Sequence, residues 1–204
     1  MAEASPVARS PISPAPPVTV QNGWEVSARR TGAELRLMDC TPLAKVLVLA
    51  ITEGDLGVRF GRAARDEHGT LVVGSGPGEW LLLAASGTGS EVAGRVEEGP
   101  DEGLVSVFDA THGRALVRIT GARAPDLLAK VCGIDLSEEV TPDGAAFRSS
   151  VAKLVTDIVR DDLEGERSYL LHCERSSGQY LFDALLDAGD EFAIEVEGFT
   201  APGI

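Results

Sequence analysis

The sequence predicts an α+β fold of two similar halves, each an antiparallel or mixed sheet with flanking helices. Three observations carry that expectation. Continuous apolar stretches at residues 43–51 (LAKVLVLAI) and 79–84 (EWLLLA) read as buried strands. The strands are joined by both short turns and helices, which argues for α+β architecture. A weak internal echo then relates the halves. Trp80 and three leucines, a small-residue turn and a helix match Tyr169 and two leucines, the turn Ser176-Ser177-Gly178 and a helix ending at Gly189. Leu43-Ala44-Lys45-Val46 also recurs as Leu128-Ala129-Lys130-Val131.

Taken in order, residues 1–23 are rich in Pro and Ala without periodicity, and are expected to form a disordered tail. With no apolar core, that stretch is not read as a signal peptide. Residues 24–100 form the first expected half. Leu56, Val58 and Phe60 alternate as a half-buried strand would, and residues 71–73 and 79–84 read as strands. A short helix is expected from Ser90 to Glu98. The acidic, turn-rich segment 97–103 (EEGPDEG) is the expected boundary between halves.

Residues 101–197 form the second half, and 198–204 a short tail. Strands are expected at 105–108, 114–120, 151–160 and 169–173. Pro125 suits the first turn of a helix running to Val131. Tyr180, Leu181, Ala184 and Leu185 share one face of a helix over 179–188, with Gly189 as its stop.

Composition excludes several function classes. The chain has 204 residues, with 32 acidic against 18 basic side chains and a formal charge of −14. That field repels polyphosphate and anionic lipid, and no Lys/Arg run interrupts it, so neither nucleic acid nor membrane is an expected partner. The longest apolar run, 46–51, is far short of the ~20 residues that span a bilayer. Cys40, Cys132 and Cys173 are odd in number and far apart, which gives no disulfide framework and no zinc knuckle. A reducing, cytoplasmic location is the expectation.

The segment 106–121 (SVFDATHGRALVRITG) and the helix 124–131 resemble the glycine-cleavage T-protein family, with its FDxSH pattern, glycine-terminated strand and leucine-paired helix. Gly76-Pro77-Gly78-Glu79-Trp80-Leu81-Leu82-Leu83 is similar to the G-x-x-EWLLL strand of heterotetrameric sarcosine oxidase gamma subunits. The resemblance covers roughly residues 40–192. It implies a non-catalytic assembly subunit of a tetrahydrofolate-linked oxidase that demethylates sarcosine. FAD, NAD and FMN would sit on partner subunits, and the partner would be the larger, folate-domain-bearing one. The alternative it implies is a stand-alone T-protein-like enzyme that binds folate or another small molecule between the halves.

Departures from the family pattern weaken catalysis. Where T-proteins have GGxxDD, this chain has Lys153-Leu154-Val155-Thr156-Asp157, with Thr156 at the first Asp unless the register shifts by one. The TGExG folate segment has no counterpart in the matched part. The candidate catalytic residues are therefore weak ones: Asp157, and the pair Asp109 and His112, whose carboxylate and imidazole sit three apart. Candidate cofactor-binding residues are Asp157, Glu79 and Trp80. No metal ligands are expected, because His68, His112 and His172 are dispersed and Asp161 and Asp162 alternate on a strand. The glycines at 74, 76 and 78 read as a hairpin turn, not a phosphate cradle.

Overall fold

A computed structural model of the chain describes residues 6–50, 56–98 and 105–201. Three short strands, β1 (Ala8–Arg9), β2 (Val18–Gln21) and β3 (Trp24–Ser27), form a small sheet in the order β1-β3-β2. The next six are β4 (Arg36–Asp39), β5 (Ala44–Ala50), β6 (Ala63–Arg65), β7 (Leu71–Gly76), β8 (Glu79–Ala84) and, after helix α1 (Gly89–Glu97), β9 (Val105–Asp109). Then follow β10 (Arg114–Thr120), α2 (Ala124–Val131), β11 (Ala146–Val151), β12 (Leu154–Arg160), β13 (Ser168–Glu174), α3 (Gly178–Gly189) and β14 (Glu195–Glu197).

Two large sheets result, of order β6-β7-β8-β5-β9 and β11-β12-β13-β10-β4-β14. With β5 set against β10, each run goes on through three antiparallel strands, a helix and an edge strand; the second run adds α2 before β11, and its edge strand β14 pairs with β4 rather than with β10. Three apolar clusters divide the structure into four layers. One packs α1, through Val92, on the outer face of the first sheet; a second joins the sheets through Leu71, Leu81, Leu83, Leu116, Val159 and Leu170; a third packs α2 and α3 on the second sheet. Both faces of β8 are covered, so its run of leucines is continuous rather than alternating.

The expected duplication holds in part of its sequence basis only. Trp80 to Leu83 and Tyr169 to Leu171 lie on β8 and β13, which occupy equivalent places in the two sheets. Leu43 to Val46 enters strand β5, whereas Leu128 to Val131 is helical, so that second echo is coincidence. The hairpin at Gly76–Glu79 is present; Gly78 has φ +67, and a Cβ there would lie 2.6 Å from the Ala50 carbonyl oxygen. Only glycine meets both demands.

Five expectations are corrected. The segment 97–103 does not divide the halves: β9 follows it yet pairs with β5, and β4 precedes it yet pairs with β10. Turn composition marks an exposed connection but does not say which sheet the next strand joins; residues 99–104 themselves lie outside the described residues. The tail expected over 1–23 is structured from residue 6 onward. Ile12 is buried in the α2–α3 core, and β2 turns back on β3 through Asn22 and Gly23, both at positive φ. The tail expected over 198–204 begins with Phe199 buried beneath the small sheet; residues 1–5 and 202–204 lie outside the description. Residues 56–60 form no strand. Phe60 makes one isolated bridge to Gly74 and is 63% exposed.

The strand expected over 151–160 begins in a turn, and only its part from Leu154 on is a single strand, β12. Ala152 and Lys153 turn the chain at φ 48 and 70, and β11 and β12 pair on either side.

Candidate functional site

The register of β11, β12 and β13 sets Arg148, Asp157 and His172 side by side across three strands. Asp157 accepts from Arg148 Nε at 2.7 Å and Nη2 at 3.3 Å, and lies 3.4 Å from His172 Nδ1. Burial pushes the Asp157 carboxyl up, but the bonds from His172 and Arg148 outweigh it and hold the group below the ordinary carboxylate range. Burial holds the His172 imidazole below its ordinary value, and the pull of Asp157 the other way does not restore it. His172 is therefore neutral near pH 7. With Nδ1 donating to Asp157, the Nε2 lone pair is buried and has no partner among the described residues.

These three residues line a cavity of about 60 Å³ between the two sheets, with Glu79, Phe60, Phe147 and the leucines of the inter-sheet core. Pockets that enclose drug-sized ligands measure roughly 300–1,000 Å³. Glu79 stands at the cavity wall with its carboxylate accepting from Ser75 Oγ at 3.1 Å.

The other candidates are placed elsewhere. Asp109 does not orient His112: its carboxylate accepts from the Thr111 amide at 2.9 Å and lies against Gly89 at the start of α1. The His112 ring stacks on Trp24, centroids 4.8 Å apart and planes 10° from parallel. The pair shapes the turn between β9 and β10. Trp80 is buried against α1's side of the sheet and donates its indole N–H to the Val58 carbonyl at 2.7 Å.

The acids at the end of β12 face apart, as alternation requires. Asp161 accepts from the buried Arg118 at 2.8 Å and from Arg65 at 2.9 Å, which ties the second sheet to β6 of the first. Asp162 accepts from Arg160, which also reaches Glu138 and the Thr141 carbonyl. Among the described residues no group of three or more His, Cys, Asp or Glu side chains converges as a metal site would require. Cys40, Cys132 and Cys173 are free and buried, and burial pushes the Cys40 thiol up to about 12. Among the described residues no helix is long and apolar enough to cross a membrane.

Sequence reasoning found Asp157 but not its partners. His172 reads as a core or edge residue until β12 and β13 are set in register, and Arg148 sits on a strand that carries no strong signal.

Comparison with known proteins agrees with this architecture. The chain is 28% identical over 137 residues to the sarcosine oxidase subunit gamma of Corynebacterium sp. (strain P-1), covering 67% of this chain and 65% of that protein. It thus spans just under two thirds of that relative's length. Its fold is similar to heterotetrameric sarcosine oxidase from Corynebacterium sp. U-96 in complex with pyrrole 2-carboxylate, with TM-score 0.64 and 24% identity over 81% of this chain and 89% of that one. It is also similar to glycine cleavage system aminomethyltransferase T from Bartonella henselae, with TM-score 0.68 and 16% identity over 89% of this chain and 55% of that one. At such identities the two structures speak for the fold alone. The family profile of the GCVT N-terminal domain matches residues 65–203, more than half of the sequence, and the chain belongs to that family.

Proposed function

We propose that the chain is a non-catalytic subunit of a tetrahydrofolate-linked sarcosine oxidase, and that it serves assembly with the larger subunit. One observation carries this reading: where a catalytic acid would be sought, the acid is already paired and the cavity beside it is small. Asp157 is already held by Arg148 and His172, and the cavity they line, about 60 Å³, is well below the ~300 Å³ at which ligand pockets begin. A general base must reach the proton it removes, and His172 Nε2 is buried. FAD, NAD and FMN belong, on this reading, to the partner subunits, as does the folate site. The three free, buried thiols fit a reducing, cytoplasmic compartment.

A second reading keeps a specific observation in its favour. The cavity does lie between the halves and is lined by Asp157 and Glu79 with Phe60 and Phe147, the residue types that a stand-alone folate- or small-molecule-binding relative would use. Calorimetric titration of the full chain with tetrahydrofolate, repeated with Asp157→Ala, separates the two. The assembly reading expects no saturable heat from either protein, and recovery of a larger flavin-bearing subunit with the tagged chain. Micromolar binding that disappears in Asp157→Ala would overturn it in favour of the stand-alone enzyme.

A further inference from the structure

The segment Val58–Arg62 carries an exposed side-chain pattern that the cavity does not explain. Its backbone is fixed from several sides. Trp80 Nε1 donates to the Val58 carbonyl at 2.7 Å, the Gly61 amide to Gly74 at 3.0 Å and the Gly74 amide to Arg62 at 2.8 Å. Gly74 makes this approach possible, since a Cβ there would lie 2.3 Å from the Arg59 carbonyl oxygen. This anchored stretch turns Phe60 outward, 63% exposed, on the ridge between the inter-sheet cavity and an open groove of about 860 Å³. The groove is lined by Arg59, Arg62, Ala64, Pro77 and Trp80 beside Phe60.

Arg59 and Arg62 form no ion pair or side-chain hydrogen bond with any described residue. That is unusual placement in a chain of 32 acids and 18 bases, where a carboxylate partner is easily found. Arginine and aromatic residues together, on a rigid backbone, are the side chains that concentrate binding energy at protein interfaces. An open groove encloses too little of a small molecule to hold it well. It does fit an extended segment of another protein.

We propose that this groove docks an acidic segment of the larger subunit, with an apolar or aromatic anchor set against Phe60 and carboxylates against Arg59 and Arg62. The inference rests on the assembly reading and assigns a surface to it. The charge of −14 repels acidic partners at long range. Screening confines that repulsion to ~8 Å at physiological salt, so Arg59 and Arg62 select their partner by contact rather than by steering.

The test places a photo-crosslinker at the ridge, as Phe60→p-benzoylphenylalanine in the tagged full chain, and recovers the assembled complex from cells that make both subunits. Mass spectrometry of the crosslinked peptide is expected to give a segment of the larger subunit rich in Asp and Glu. In parallel, Arg59→Glu with Arg62→Glu is expected to weaken association with that subunit by roughly 30-fold or more. Tyr180→Ala, on the opposite helical layer, should leave it unchanged. A complex that forms normally but crosslinks to a peptide without acids, to this chain's own residues 51–55 or to a second copy would overturn the groove assignment and leave the assembly reading standing. Unaltered association of a folded double-Glu variant would do the same. Failure of the wild-type chain to join any larger subunit would overturn both.

Discussion

The two large sheets follow similar courses, yet they bury charge very differently. In the first, Lys45 is the one charged side chain that is buried among the described residues; the second buries Arg118, Arg160 and Asp161, with His172 beside them. The first sheet is held by volume: Leu71, Val73, Leu81 and Leu83 fill the space between the layers. The second adds paired charge to its packing: Arg148, Asp157 and His172 in register, and Arg118 reaching Asp161 past the intervening strand β13. The backbone course is similar in the two sheets, but the polar groups they bury differ in kind. A sheet of the first kind answers to lost methylenes, and one of the second kind to lost partners.

That contrast gives the two largest expected effects. Asp161→Ala leaves Arg118, only 3% exposed, as a buried cation without its carboxylate. Breaking such a pair from one side costs about 3–5 kcal/mol, and the upper half of that range is expected because Arg118 cannot reach water. Arg65, more exposed, can turn to solvent and adds little. Leu83→Ala in the first sheet removes a fully buried side chain and should cost about 3 kcal/mol through lost burial and the cavity left behind. Urea unfolding of both variants checks the order. A smaller loss from Asp161→Ala than from Leu83→Ala would mean that the charged network is dispensable and that both sheets rely on packing.

Elements whose signal lies within their own residues were legible. Strands β8 and β10 and helix α2 fall where apolar runs, alternation and Pro125 place them. What depended on a turn was not. Asn22-Gly23 and Ala152-Lys153 make turns of the same positive-φ kind. The first is written in the residues that favour that geometry, although a proline-rich neighbourhood obscured it. The second is written in residues that resist it, so the expected strand runs through the turn from Val151 into β12 and β11 goes unread. Arg148 was lost with β11, and the pairing of Asp157 with His172 was lost with the register. Had the hairpin been read, the site would have been visible as a cross-strand ladder.

That turn supplies the next expected effect. A non-glycine residue in the left-handed region costs about 1–2 kcal/mol, part of which glycine gives back through its greater freedom when unfolded. Lys153→Gly, at φ 70, should therefore raise stability by about 0.5–1 kcal/mol. The gain would appear as a higher urea midpoint with an unchanged slope. A loss would show that the Lys153 side chain does more for the second sheet than its backbone costs.

The smallest effect separates the two sheets by pH. His172 is held below its ordinary value when folded, chiefly by burial, so the unfolded chain takes up the proton first as pH falls. Its contribution to stability is complete above the unfolded imidazole value of ~6.5 and is lost below it, with a slope of at most about 1.4 kcal/mol per pH unit. Asp157 adds its own loss only at more acid pH, because its folded value lies below the unfolded carboxylate one. Between pH 5 and 7 the two are thus distinguishable. His172→Gln keeps a polar group opposite Asp157 without a titrating ring, and should flatten the pH dependence of the urea midpoint across that window while leaving the lower limb in place. An undiminished slope would place the acid sensitivity outside this ladder, and the second sheet would then resemble the first in depending on packed volume rather than on paired charge.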